Sequence, residues 1–325
     1  MKAILAGFLT LLISASACAE AQRYEVTQRM PLGGGAQRWD FLAVDHDSGR
    51  LFVTRENQVD VVDLGSARVL ASIKDLPRVH GVALAPAFNL GFISAGGANA
   101  IVVFDLGSLA RRTTIPVTGK NQDALLFEPS VNQLYVFNHD SDSVDIVDVE
   151  TLKITATLRA SRHPEVAVSD GRGHIYFNIE DHAGIDVIDI ATASISARWK
   201  LSDCDEPSGI DMDIKNRRLF SACSNHRVVV THADTGQYVG HFKVGEGPDG
   251  IAFDAATATV LTSSGASGTL DVALQVSPNR YEVGASVVTL KGARTLVLDP
   301  ISHKLYMPAV VDGVLTIVVA RPAAY

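Results

Sequence analysis

Seven residues recur along the chain at intervals of 40 to 45 positions, and six of them are ionisable. The set is Asp40, His80, Asp123, Glu165, Ser208, Asp249 and Arg294. Four carboxylates with a histidine and an arginine can hold a cation or an amine. They can also support acid–base chemistry where burial and like charges shift their pKa values. The simpler interpretation is that they are solvated residues at a wet entrance. Either interpretation requires a fold that brings them together.

The spacing of these residues follows a repeated apolar pattern. Six of the seven residues lie eleven positions before an apolar pair. In the fourth unit the same count selects Pro164, but the turn there is one residue shorter, so Glu165 is preferred. The pairs are Leu51-Phe52, Gly91-Phe92, Leu134-Tyr135, Ile175-Tyr176, Leu219-Phe220, Val260-Leu261 and Leu305-Tyr306. Short alternating strands repeating at this period predict an all-β fold, a seven-bladed β-propeller of four-stranded antiparallel blades.

The inner strand of each blade must position the seven residues. Apolar runs predict inner strands at Phe41–Val44, Val82–Leu84, Ala124–Phe127, Val166–Val168, Ile210–Met212, Ile251–Phe253 and Leu296–Leu298. Inner strands surround the channel and begin on one face, so we expect the seven residues at its mouth. Trp39 is the large aromatic residue there, and it either packs against a loop or stacks on a ligand.

Loops between second and third strands are predicted on the same face. They contain Asn57, Asn99, His139, Asp140, Asp181, His182, Asn225 and His226, which we interpret mainly as turn formers. Third strands end in aspartates that are expected to accept hydrogen bonds from the following turn, namely Asp63, Asp105, Asp148 and Asp189.

The order of residues around the mouth predicts an uneven distribution of charge. Arg294 lies between Asp249 and Asp40, which it neutralises, whereas Asp123 and Glu165 are neighbours without a basic residue of the set between them. That side is the best place for a cation, an amine or a carboxyl with a raised pKa. Oxygen ligands suit Ca²⁺ or Mg²⁺. A stable metal site is the less favoured interpretation, because acids on opposite sides of the mouth are too far apart to share one ion.

The chain ends predict how the ring closes. The last blade has an inner, a second and a third strand before the chain stops, so its outer strand is missing. The segment Tyr24 to Met30 precedes the first blade and alternates like an orphan outer strand. Pairing of this N-terminal strand with the C-terminal blade would remove two exposed sheet edges.

The N-terminus predicts export. A lysine, an apolar run and small residues over positions 1–19 have the pattern of a signal peptide, with cleavage after Ala17, Ala19 or Ala21. Residues 20–325 are then expected to form a single propeller domain, periplasmic or secreted, since the repeat is uninterrupted. Lipidation at Cys18 is the minor alternative. No later stretch is long enough to span a membrane.

Composition restricts the partners. The net charge is −8, and it becomes −9 without Lys2, so binding to DNA is not expected. The expected partner is a protein, a peptide or a small molecule, and the expected state is a monomer. No cofactor is expected, because the sequence has no CxxCH, GxSxG, HExxH or P-loop pattern. After export only Cys204 and Cys223 remain, and an oxidising compartment together with their position on one side of the fifth blade predicts a disulfide.

Several segments of the sequence resemble exported bacterial propellers of the YncE-like, YVTN-repeat family. They are the segments 80–86, 164–168 and 178–181, Cys204 to Gly209 with Cys223 to Asn225, 248–250 and 292–295. The resemblance implies a seven-bladed propeller and export, and it implies little about chemistry. Two hypotheses remain. The favoured one is a non-catalytic binding or scaffold protein that docks its ligand or partner at the mouth. The alternative is a metal-dependent enzyme of the lactonase or lyase type, with His80 as the base.

Overall fold

Seven antiparallel sheets form the closed ring predicted from the repeat. The computed structural model describes residues 24–35 and 38–323. The inner strands of successive blades contact one another, and the inner strand of the last blade contacts that of the first. The fold is therefore an all-β, seven-bladed propeller, as predicted. The expected signal peptide, with Cys18 and the cleavage positions, lies outside the described residues.

Each blade is an antiparallel sheet, and in blades 1 to 6 the first four strands run outward from the channel in chain order. Blade 1 contains β2 (Trp39–Asp45), β3 (Arg50–Arg55), β4 (Gln58–Asp63) and β5 (Arg68–Ile73). Blade 2 contains β6 (Val79–Ala85), β7 (Leu90–Ala95), β8 (Ala100–Asp105) and β9 (Arg111–Pro116). Blade 3 contains β10 (Gln122–Glu128), β11 (Gln133–Asn138), β12 (Ser143–Asp148) and β13 (Lys153–Arg159). Blade 4 contains β14 (Pro164–Ser169), β15 (His174–Ile179), β16 (Gly184–Asp189) and β17 (Ser194–Lys200).

The remaining blades vary this plan. Blade 5 contains β18 (Pro207–Asp213), β19 (Arg218–Cys223), β20 (Arg227–His232) and β21 (Tyr238–Lys243). Blade 6 contains β22 (Pro248–Asp254), β23 (Thr259–Ser264), β24 (Thr269–Ser277) and β25 (Arg280–Val283), with β26 (Val287–Val288) also paired to β24. Blade 7 contains β27 (Val297–Leu298), β28 (Leu305–Val311), β29 (Val314–Pro322) and β1 (Tyr24–Gly35). Short 3₁₀ helices cover Pro86–Phe88, Gly96–Ala98 and His139–Ser141.

The hydrophobic core lies between blades rather than inside one of them. Phe52 of blade 1 packs with Phe104 of blade 2, and Phe137 of blade 3 packs with Phe177 of blade 4, with ring centroids 5.7 and 5.1 Å apart. Outer strands such as β13 alternate exposed and half-buried residues, because only one of their faces has a neighbour to pack on. A single blade could not bury these faces, so the blades stabilise one another.

The aspartates at the ends of four third strands have the structural role expected of them. Asp63, Asp105, Asp148 and Asp189 each accept a hydrogen bond from the backbone N–H three residues later, at 2.6 to 2.8 Å. In blade 5 His232 takes this place, and its Nδ1 accepts from the N–H of Asp234 at 3.2 Å. These carboxylates stabilise turns on the periphery and do not contribute to the mouth.

The N-terminal strand closes the ring, as predicted. Strand β1 pairs with β29 in antiparallel register, with Tyr24 opposite Pro322 and Met30 opposite Ile317. The side chains of Tyr24 and Met30 are buried in the clusters on either side of blade 7. Closure thus combines backbone pairing with burial of side chains in both neighbouring interfaces.

Loss of this strand is expected to destabilise the propeller. Deletion of residues 24–32 removes the burial of Tyr24 and Met30, about 3–6 kcal/mol in total, and exposes an edge of β29. The point variant Met30→Ala should reduce the free energy of unfolding by about 2–5 kcal/mol. Arg29→Ala, on the exposed side of the same strand, is the matched control and should change it by less than about 0.5 kcal/mol. Denaturant unfolding measures all three, and a truncated monomer with unchanged stability would contradict the closure.

Cys204 and Cys223 form a disulfide, as predicted, with their Cα atoms 5.2 Å apart. Cys204 precedes β18, and Cys223 ends β19, so the bond joins the loop before the inner strand to the second strand of blade 5. The N–H of Ser224 also donates to the carbonyl of Asp205 at 2.7 Å. These links hold the loop that leads into Ser208. The bond indicates an oxidising environment.

Removal of the disulfide is expected to reduce stability without changing the fold. The enclosed loop is 19 residues long, for which the chain-entropy model gives about 3 kcal/mol. Cys204→Ala with Cys223→Ala should show this loss in denaturant unfolding, and non-reducing peptide mapping of the natural chain should find the linked pair. Two unmodified thiols in protein prepared from an oxidising compartment would contradict the assignment.

Within the described ranges, no helix is both long and apolar enough to cross a membrane.

Candidate functional site

The seven residues selected from the sequence all line one cavity at the channel mouth. Its volume is about 790 Å³, and its walls include the starts of the inner strands and the loops beside them. The predicted residues in its lining are Asp40, His80, Asp123, Glu165, Ser208, Asp249 and Arg294. The fold therefore converts a spacing of about 42 residues in the chain into a common position in space.

A β-bulge in each of the first six inner strands directs these side chains. In blade 3, Gln122 pairs with Asn138 and Leu125 with Val136, so Asp123 and Ala124 together face the single residue Phe137. The same excess of two residues over one occurs at the corresponding position of blades 1, 2, 4, 5 and 6. The predicted site residue is the first of the two in every case. A bulge bends the strand and changes the direction of the side chain, which accounts for six of the seven blades presenting a side chain at one place.

Glycine at the second position of the bulge allows neighbouring inner strands to approach closely. A Cβ atom on Gly81 would lie 2.9 Å from the carbonyl oxygen of Asp123, and one on Gly209 would lie 2.2 Å from that of Asp249. Ser94 links the same strands, because its hydroxyl accepts from Gly81 N–H at 2.7 Å and donates to the Asp123 carbonyl at 3.0 Å. The backbone that carries the mouth residues is thus fixed by contacts between blades.

Ion pairs connect five of the mouth residues into a chain. Arg294 contacts Asp249 through Nη1 at 2.7 Å and Asp40 through Nη2 at 3.2 Å. His80 Nδ1 lies 2.8 Å from Asp40 Oδ2 and 3.2 Å from Asp123 Oδ1. The expected neutralisation by Arg294 is therefore present in the geometry. Its guanidinium also donates to the carbonyl of Trp39 at 3.0 Å, so its donors are largely used within the protein.

Asp123 and Glu165 form the acidic end of this chain. Burial, together with the carboxylates of Glu165 and Asp40, raises the pKa of Asp123 to about 8. Burial also raises the pKa of Glu165, against the effect of a hydrogen bond from His139. No base of the repeated set lies between these two acids. A histidine outside that set, His139 of a neighbouring loop, contacts Glu165.

His139 was interpreted from the sequence as a turn residue, and it lines the cavity. Its Nε2 lies 3.3 Å from Glu165 Oε1 and 3.2 Å from Glu180 Oε2, and its Nδ1 lies 2.8 Å from Asp140 Oδ1. Hydrogen bonds to these carboxylates raise the pKa of His139 to about 11. His139 and Glu180 occupy the same loop position in blades 3 and 4, 41 residues apart. This shared position in the repeat is the sequence signal that places both residues at the mouth.

Other lining residues also follow the repeat. Arg78, Asn121 and Glu206 lie two positions before a mouth residue, and all three have positive φ. Lys291 and Arg38 add positive charge to the rim. The left-handed residue before the bulge therefore supplies a second set of lining side chains in these three blades, two positions before the repeated one.

Trp39 and Ser208 have mainly structural contacts. Trp39 is absent from the cavity lining. Its indole lies against Gly292 in the adjoining loop, where a Cβ atom on the glycine would lie 3.4 Å from Cζ2 of the ring. This favours packing against a loop over stacking on a ligand. Ser208 lines the cavity, and its hydroxyl donates to the carbonyl of Asp249 at 3.3 Å, between blades 5 and 6.

Two groups of the described residues have donor atoms close enough for a metal ion. One group is Asp40, His80 and Asp123, and the other is His139, His163 and Glu180. In the first group both carboxylates contact the single nitrogen His80 Nδ1, and Asp40 also contacts Arg294. A cation there would have to displace an imidazole and lie beside a guanidinium, so this group is an ion-pair network.

Comparisons with known proteins establish the fold and leave the family open. No protein-family model matches the chain. Antigen Lp49 of Leptospira interrogans is 30% identical over 113 residues, which are 32% of this chain and 25% of that protein. The RRP9 WD40 repeats superpose with a TM-score of 0.81 at 14% identity, covering 93% of this chain and all of that one. Hydrazine synthase of Kuenenia stuttgartiensis has a TM-score of 0.76 at 13% identity, covering 87% and 95%. These structural similarities are evidence of the propeller architecture alone.

The raised pKa of Asp123 predicts a pH-dependent effect of its substitution. A folded-state pKa of about 8 lies above the ordinary value of about 3.9, so between these pH values folding takes up a proton and stability falls as the pH rises. Asp123→Asn removes this penalty. The variant should therefore gain stability relative to the natural chain between pH 5 and pH 8, measured by denaturant unfolding.

A matched control for this comparison is Asp47→Asn. Asp47 is exposed in the turn after β2, on the face opposite the mouth. Its effect on stability should be the same at both pH values. An Asp123→Asn effect that is equally independent of pH would contradict the raised pKa.

Proposed function

We propose that the protein is an exported binding protein that takes a ligand bearing a cationic or metal-bound group at the propeller mouth. The observation that carries this proposal is the clustering of Asp123 and Glu165 on one side of a cavity of about 790 Å³. Cavities of this size accommodate small molecules or a few residues of a peptide. The mouth of a monomeric propeller is open to solvent, so a ligand can enter without rearrangement of the blades.

The charges within the cavity favour a cationic group on the Asp123 side. Asp40 and Asp249 are paired with Arg294, whereas Asp123 contacts the imidazole of His80 and Glu165 contacts that of His139. Their carboxyl pKa values are raised, which means that removing them from water is incompletely compensated. A cationic ligand group would supply the missing compensation and would bind more strongly than it could on an open surface.

Arg294 has a supporting role in this proposal. Its contacts with Asp249, Asp40 and the carbonyl of Trp39 leave it less suited to hold a ligand carboxylate than the sequence alone indicates. It keeps two acids neutralised, so the carboxyl groups that a cationic ligand group can compensate are Asp123 and Glu165 on the other side. A ligand's acidic group could instead meet Arg78 or Lys291 on the rim.

Export is part of the same proposal and rests on the disulfide and on the pattern of residues 1–19. The acidic net charge argues against nucleic acid as the partner. A metal-dependent lyase or lactonase is the weaker candidate, because Asp40, His80 and Asp123 are already engaged with one another and with Arg294.

The binding proposal predicts selectivity for cations that depends on two carboxylates. Isothermal titration with a panel of amines and lysine-containing peptides, each paired with its N-acetylated form, should find binders only among the charged forms. Asp123→Asn with Glu165→Gln should weaken such binding at least about tenfold, because each charge-assisted contact is worth about 1.5–3 kcal/mol. Asp47→Asn should leave it unchanged. Equal affinity in the double variant and the natural chain would place the site elsewhere.

A further inference from the structure

Two histidines and a glutamate meet on the rim of the mouth, between blades 3 and 4. The imidazoles of His139 and His163 are stacked, with centroids 4.4 Å apart and planes within 9°. His139 Nε2 lies 3.2 Å from Glu180 Oε2, and one donor atom from each of the three residues lies within 4.8 Å of the others. We call His139, His163 and Glu180 the rim cluster.

Both imidazoles of the rim cluster have a carboxylate at the same ring nitrogen. His139 Nδ1 lies 2.8 Å from Asp140 Oδ1, and His163 Nδ1 lies 3.1 Å from Asp181 Oδ1. Histidines that bind metals commonly donate one N–H to a carboxylate, which fixes the tautomer and leaves the other nitrogen to coordinate. Here this arrangement occurs twice and leaves Nε2 of each ring as the coordinating atom.

Backbone contacts hold the three residues in their positions. The N–H of Glu180 donates to the carbonyl of His163 at 3.1 Å, and the N–H of His163 donates to Asp142 Oδ1 at 3.1 Å. The N–H of His139 donates to the carbonyl of Asn121 at 3.0 Å. The three loops that carry the rim cluster are thus joined by hydrogen bonds of their backbone, so the backbone of a site there is held in place before an ion binds.

We propose that the rim cluster binds a transition-metal ion of the Zn²⁺ type, with His139, His163 and Glu180 as ligands and Asp140 and Asp181 as their outer partners. Imidazole nitrogens suit zinc and its neighbours, whereas Ca²⁺ and Mg²⁺ prefer oxygen ligands alone. The two rings must turn from their parallel stacking to face one ion. Their side chains are 19% and 29% exposed, so this turn does not disturb the core.

The position of the rim cluster gives a bound ion access to the mouth. His139 and Glu180 both line the cavity, so the ion lies at its edge, and three protein ligands leave a coordination position for water or another group. Glu165 is a further carboxylate in contact with His139 Nε2, at 3.3 Å. The rim cluster adjoins the proposed ligand site, which depends on Asp123 and Glu165 with Arg294 in a supporting role, and Glu165 is not one of its three ligands.

The test is zinc binding by untagged protein treated with EDTA and desalted. Titration with ZnCl₂ in competition with a chromophoric chelator should give one ion per chain, and CoCl₂ should produce the visible absorption of a low-coordinate site. His139→Gln with His163→Asn should weaken zinc binding at least about 100-fold. Asparagine is chosen because His163 has a φ of 48°, which asparagine tolerates. Asp181→Asn, which leaves all three ligands in place, should weaken it about 10–100-fold.

Two controls separate this proposal from the mouth ligand. His182→Gln, an exposed histidine of the same loop as Asp181, should leave zinc affinity unchanged. Arg294→Ala should also leave it unchanged, although it disturbs the mouth ion pairs. Absence of stoichiometric zinc in the natural chain would overturn the proposal. So would undiminished zinc binding in the folded double-histidine variant, with folding verified by circular dichroism.

Discussion

Close approach of neighbouring inner strands is the constraint on which the mouth depends. A bulge at the start of each of six inner strands places two residues opposite one, and glycine at the second of the two admits the next strand in three blades. Where a Cβ on Gly209 would lie 2.2 Å from the carbonyl of Asp249, any larger residue would force the blades apart. The same contact that packs the ring therefore fixes the backbone of the site, so the polar groups of the mouth are positioned by the core.

Stability and site geometry share this dependence on the ring. The seven hydrophobic clusters each combine side chains of two blades, and the cluster joining blades 7 and 1 includes Met30 of the N-terminal strand. An open ring would separate Arg294 of blade 7 from Asp40 of blade 1, which are 3.2 Å apart in the closed one. Closure by β1 is thus a condition for the charge balance of the mouth, although β1 supplies none of the charged residues that line it.

The repeat predicts the fold and the common position of the mouth residues because both depend on periodicity. Counting from the apolar pairs locates Asp123 and Arg294 without knowledge of a single contact, since the mouth residue has the same position in every repeat. The count does not reveal which groups pair. His139 lies in a 3₁₀ turn whose composition suits a loop, and its contact with Glu165 depends on side-chain reach across two blades. The contacts that occupy the hydrogen-bond donors of Arg294, with Trp39, Asp40 and Asp249, likewise depend on atomic distances.

The balance of acids and bases changes around the mouth, from Asp249 at one end of the ion-pair chain to Asp123 at the other. From Asp249 through Arg294, Asp40 and His80 to Asp123, acids and bases alternate. The interior carboxylate, that of Asp40, therefore has a basic neighbour on each side. The alternation ends where Asp123 meets Glu165, and the next base is His139, which belongs to a loop and is divided among three carboxylates. Carboxyl groups with raised pKa values therefore lie between blades 3 and 4, the same sector that carries the rim cluster. The proposed cationic ligand group and the proposed metal ion would both be stabilised by these carboxylates, so the two proposals concern the same sector of the ring.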